Sequence, residues 1–165
     1  HGRPAHPATS LQLDHTTGEI RRPGSVVLDI SEVAATAEAA TKLQVAPGTL
    51  VHRVERLRTS ADEPIAHEVV LLPGPLPGLA EQLALHASLY RTLHEAYGIS
   101  MATAEDTVET ALADPLTADL LQVDTGLPLL LINRIGWDHA GRTVEWSIGR
   151  FRGDRFRFVS HQRLS

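Results

Sequence analysis

The sequence predicts an α+β fold: an antiparallel sheet with helices on one side. Stretches that alternate apolar and polar residues, such as Val51 to Pro73, read as strands, because strand side chains alternate between faces. Most of these strands are joined by short polar turns, as in hairpins. Helical stretches with clear caps fall between some strands, without the strict alternation of a doubly wound sheet.

Residues 1 to 25 are rich in Pro, Gly, Thr and charge, and Pro4, Pro7, Pro23 and Gly24 break any long element there. They read as a leading linker and a loop over the domain, with residues 1–9 a linker or tag remnant and 10–165 the folded unit. The chain opens His1-Gly2 rather than with methionine, the start expected of a piece cut from a longer protein. Val26 to Ile30 is a β-branched strand. Ser31 is an N-cap candidate for an alanine-rich helix reaching about Leu43. Ala46-Pro47-Gly48-Thr49 turns into a hairpin whose strands meet at Ser60-Ala61-Asp62-Glu63.

After a proline-punctuated loop, Pro73 to Gly78, a short helix runs near Leu79 to Leu85. Ser88 caps a second helix, with Leu89, Leu93 and Tyr97 spaced to face a core and Gly98 ending it. Ser100 to Leu112 is a polar-faced strand. Asp114 and Pro115 open a helix ending near Leu121, as N-cap and first position. Leu127 to Trp137, Thr143 to Phe151 and Phe156 to Val159 are the closing strands, turning at Asp138 to Gly141 and at Gly153-Asp154.

Composition excludes several classes. The 165 residues suit one soluble domain, and no apolar run approaches the ~18 residues of a membrane span. Cysteine is absent, so neither a disulfide scaffold nor Cys-ligated zinc is available. The net charge of -5 argues against bulk electrostatic binding of nucleic acid. The Arg-aromatic tail Arg150 to Phe158 therefore reads as a strand with Phe156 and Phe158 on one buried face. None of the nine histidines forms a His-x-x-x-His or His-Glu-x-x-His pattern, so no metal site is expected.

The chemistry concentrates in the hairpin. Val54, Arg56 and Arg58 share one strand face, and Glu68 shares a face with Ala66, Val70 and Leu72. Two arginine forks with a carboxylate across the hairpin make an oriented anion site. The competing reading is a solvated strand face whose charges discourage aggregation.

Ordered landmarks along the chain resemble the UTRA (UbiC transcription regulator-associated) effector domain of GntR-superfamily regulators of the HutC type. They include Leu43 to Gly48, Arg56-x-Arg58, Pro64 with Glu68, Ser88-Leu89-Tyr90 and Tyr97-Gly98-Ile99. Leu120 with Gly126, Asp138-x-x-Gly141-Arg142-x-Val144-Glu145 and Phe151-Arg152-Gly153-Asp154-Arg155-Phe156 complete the set, spanning roughly residues 10 to 158. The resemblance implies a chorismate-lyase-like fold that senses a small anionic effector, works as a cytoplasmic homodimer and uses no cofactor. Operator DNA would be bound through an N-terminal winged helix-turn-helix, whose recognition-helix pattern this chain lacks.

By the same resemblance, Arg56 and Arg58 hold the phosphate of a sugar or amino-sugar phosphate with hydroxyls of Ser88 and Tyr90, and Ser10 aligns with a further contacting serine. Glu68 and Glu145 match ligand-orienting carboxylates. Alternatively, Ser88 is only a cap, Tyr90 only core, and each glutamate only a partner for an arginine. Phe151 stands where the family commonly has tyrosine, leaving apolar stacking in place of a hydroxyl donor. A carboxylated metabolite would also satisfy the arginines. Two further readings are a chorismate-cleaving enzyme, which the match to regulators disfavours, and a dimerisation module with a decayed pocket, which retention of these residues disfavours.

Overall fold

The computed structural model describes the backbone of residues 8–13 and 23–165, with side chains from residue 24 onward. Its elements are β1 (Ala8–Leu13), β2 (Pro23–Ala34), α1 (Ala37–Leu43), β3 (Leu50–Ser60), β4 (Glu63–Pro73), α2 (Leu79–His86), α3 (Leu89–Tyr97), β5 (Thr103–Leu112), α4 (Pro115–Leu121), β6 (Pro128–Trp137), β7 (Thr143–Arg152) and β8 (Phe156–His161). Six strands form one sheet in the order β2-β3-β4-β7-β6-β5, and β1 pairs with β8. Every pairing is antiparallel, as expected of the α+β class.

The helices cover both faces of the sheet, where one face was expected. Helices α2 and α3 bring Leu79, Leu83, Leu89 and Leu93 onto Val54, Val70 and Leu72. On the opposite face α1 packs Ala39, Ala40 and Leu43 against Val51 and Trp146, and α4 joins Ala118 and Leu121 to Leu129. The reason lies in β4, whose run Val69-Val70-Leu71-Leu72 puts apolar side chains on both faces, so both need cover.

Two boundaries near the start also differ from the sequence reading. Strand β2 continues through Ser31 to Ala34, held by pairing with β3 along to Leu50. The cap of α1 is Thr36, whose Oγ1 accepts from the Ala39 N–H at 3.1 Å. Residues 8–13, expected within a loop, form β1, with Ser10 opposite Val159. Asp114 and Ser88 cap α4 and α3 as expected, Asp114 accepting from the Thr117 N–H at 2.7 Å.

Two turns set the register near the site. Between β3 and β4 both Ala61 and Asp62 have positive φ, 48° and 64°, the conformation of a two-residue type I′ hairpin. At the same end of the sheet, Glu63 accepts from Arg152 at 2.9 Å and Arg155 at 2.7 Å, and Arg152 also grips Asp154. This ion cluster ties the start of β4 to the β7–β8 turn. It holds the Glu63 and Asp154 carboxyls below their ordinary range through the hydrogen bonds of Arg155 and Arg152 respectively.

Candidate functional site

The sheet face not covered by α1 and α4 carries the polar residues of the site. Along it, Arg56 stands opposite Glu68, Glu68 opposite Gly149, and Gly149 opposite Ile132. The neighbouring row runs from Val70 through Ser147 and Arg134 to Asp106. These side chains floor a cavity of about 770 Å³, which Gly24 and Ser25 of β2, Ala87 and Ser88 before α3, Tyr90, and Phe158 of β8 close at the sides. That volume lies within the range of pockets for small molecules.

At one end the arginines and a carboxylate are already joined. Arg56 Nε donates to Glu68 Oε2 at 2.9 Å, and Arg58 NH1 lies 3.7 Å from Glu68 Oε1. The Arg58 guanidinium also sits over the Phe151 ring, 5.9 Å from its centroid. Phe151 meets Phe156 edge to face at 5.0 Å. Its ring folds back over position 149, where a Cβ would stand 2.4 Å from Phe151 Cε2, so glycine makes this aromatic wall possible.

The other end is a hydrogen-bond chain of four side chains. Arg134 grips Asp106 with two bonds, Nε at 2.7 Å and NH2 at 2.9 Å, and its NH1 donates to the Tyr90 hydroxyl at 3.1 Å. The Tyr90 hydroxyl in turn donates to Glu145 Oε1. Glu145 is 1% exposed, and burial pushes its carboxyl above the ordinary range against the pull of Tyr90 and Arg134. Burial and the adjoining Glu145 charge keep the Tyr90 phenol protonated, while Asp106 holds Arg134 firmly in its charged form. Tyr90 thus has both a donor and an acceptor role, and the residue remains 42% exposed.

Seven of the eight residues singled out from sequence line this cavity: Arg56, Arg58, Glu68, Ser88, Tyr90, Glu145 and Phe151. Both readings of Ser88 meet in one residue, since it caps α3 and borders the cavity. Glu68 does contact arginines, and Glu145 takes a tyrosine instead. The side chain of Ser10 lies outside the described residues. Phe156 is buried whereas Phe158, expected to share that buried face, is 43% exposed and lines the cavity. Sequence reading missed Asp106, Arg134 and Ser147. Their signal was weak: one polar residue at the same face position on each of three strands.

The arrangement can seat an anion at Arg56 and Arg58, accept hydrogen bonds at Glu68 and Glu145, and stack a C–H-rich surface on Phe151 and Phe158. Among the described residues no cluster of His, Asp and Glu could hold a metal ion, and no helix is long and apolar enough to cross a membrane.

Residues 19–157 match the model of the UTRA domain. The chain is 30% identical over 144 residues to the HTH-type transcriptional repressor NagR of Bacillus subtilis, covering 87% of this chain and 59% of NagR. It is 33% identical over 138 residues to the HTH-type transcriptional repressor PhnF of Mycolicibacterium smegmatis, covering 83% of this chain and 56% of PhnF. It therefore spans only a little over half the length of these curated relatives. Its fold matches the crystal structure of a ligand-binding domain assigned to a GntR-family regulator of Bordetella bronchiseptica, with a TM-score of 0.81, 28% identity, and coverage of 94% and 96% of the two chains. With the match covering most of its length and the fold that of a regulator's ligand-binding domain, the chain belongs to the UTRA domain family.

Proposed function

We propose that this chain is the effector-sensing part of a GntR-superfamily, HutC-type transcriptional regulator, a repressor that binds a phosphorylated sugar or amino sugar. The observation that carries the reading is the pair Arg56 and Arg58 on one strand face of the cavity, with Ser88 and Tyr90 in its lining. Two guanidinium forks suit phosphate oxygens, and the free N–H groups where α3 begins favour an anion too. Glu68 and Glu145 would take hydrogen bonds from sugar hydroxyls or an amine, and Phe151 would lie against the sugar's C–H face. A carboxylated metabolite is the second reading, supported by the same arginines.

In this proposal the domain is a cytoplasmic, non-enzymatic sensor. Its matched relatives carry the names of transcriptional regulators, and operator DNA is bound by a winged helix-turn-helix that precedes residue 10 in the whole protein. Ligand must bind two states of the domain unequally for the signal to pass. A homodimer is supported by the apolar side chains of Val26, Val27 and Leu28, exposed on edge strand β2.

The test is a thermal-shift screen against phosphorylated sugars, free sugars and small carboxylates, repeated on Arg56→Ala. A ligand at about a hundred times its Kd stabilises the fold by about 2.7 kcal/mol, roughly 5–10 °C in Tm for a domain of this size. The expected result is such a shift with a phosphosugar, absent in Arg56→Ala. A shift with carboxylates only would favour the second reading. A shift indifferent to Arg56 would remove the anion seat.

A further inference from the structure

We infer that Glu68 decides which anions the cavity accepts, by occupying the arginine pair until a ligand replaces it. The inference rests on the reading of Arg56 and Arg58 as the anion seat. Arg56 and Glu68 are cross-strand partners, and each Glu68 oxygen faces a different guanidinium, at 2.9 Å and 3.7 Å. A carboxylate placed so is chemically what an incoming phosphate would be: two acceptor oxygens on two arginine forks. The protein's own side chain fills the seat.

The two contacts are unequal. Glu68 and Arg56 are largely buried, their side chains 13% and 22% exposed, whereas Arg58 is 45% exposed and lies over Phe151. An arriving anion can meet Arg58 first, but engaging Arg56 requires Glu68 to leave its Nε. The displaced carboxylate then faces a region that already holds Glu145, on which Glu68 exerts a repulsive charge. A buried carboxylate stripped of its guanidinium is costly unless another donor reaches it. An anion with no proton to give, such as sulfate, brings no such donor. A phosphate monoester carrying hydroxyl or ammonium groups does, so it can take the arginines and satisfy Glu68 in one event. Glu68 thereby rejects anions that bring no donor and favours polyhydroxylated or amino phosphate esters.

Calorimetric titration of the wild-type chain, Glu68→Gln, Glu68→Ala and Arg56→Ala with inorganic sulfate and with glucosamine 6-phosphate tests this. Wild type should bind the ester and bind sulfate at least about tenfold more weakly. Both Glu68 variants should gain about tenfold or more in affinity for sulfate, and the ester's advantage should shrink. Arg56→Ala should lose both ligands. If Arg56→Ala loses the ester while neither Glu68 variant gains affinity for sulfate, the anion seat stands and the selective role of Glu68 is wrong. If Arg56→Ala keeps the ester, the seat itself is wrong and the inference falls with it. Loss of cooperative unfolding in both Glu68 variants would make Glu68 a strut and overturn the inference as well.

Discussion

Glu145 is a carboxylate at 1% exposure whose described partner is the hydroxyl of Tyr90. Burial makes it hold a proton more tightly in the folded chain than in the unfolded one. Its contribution to stability is therefore full below the unfolded pKa, near 4.5, and is lost as pH rises through the folded value. In urea unfolding, the stability of Glu145→Gln relative to wild type should rise as pH increases from about 4.5 to 7. Carboxylates held low by donors, such as Glu55 beside His67 and Asp154 beside Arg152, act in the opposite sense as pH falls. At Gly149 the added methyl of Gly149→Ala must displace the Phe151 ring, which should cost about 1–3 kcal/mol in unfolding and weaken any ligand that stacks there. Arg56, Arg58 and Glu68 were legible because strand alternation and one short hairpin suffice to bring them together. Arg134 and Asp106 were not, because their role depends on β6 lying between β5 and β7, a pairing order that sequence spacing does not specify.

At the scale of elements, local signals located what local bonds maintain. Asp114 and Ser88 were readable as caps because each satisfies an N–H three residues ahead. Ser31 misled because it has the chemistry of a cap, while pairing of β2 with β3 keeps its backbone extended. Thr36→Ala should cost about 1 kcal/mol in chemical unfolding, and Ser31→Ala should stay within about 0.5 kcal/mol of wild type. The hairpin turn holds Ala61 and Asp62 at positive φ, where asparagine and glycine are better suited. The double change Ala61→Asn, Asp62→Gly should therefore raise stability by about 1 kcal/mol. Strand β1 escaped the sequence reading because its partner, β8, lies at the other end of the chain and leaves no local mark.

For the whole molecule, the α+β class was legible from hairpin turns, but helix placement was not: caps show where a helix starts, not which sheet face it covers. Both faces of β4 had to be read together to see that. Edge strand β2 exposes Val26, Val27 and Leu28. If the homodimer joins there, Val27→Lys should shift sedimentation at micromolar concentration towards monomer. The cavity itself sets three guanidiniums, Arg56, Arg58 and Arg134, against three carboxylates, Glu68, Asp106 and Glu145. Such a nearly neutral mouth casts little field into solvent, so it cannot draw anions in from a distance. Ligand capture should be a slow, unsteered encounter, with an association rate that barely changes as ionic strength rises, and the chain would respond to the ligand's concentration rather than to the salt around it.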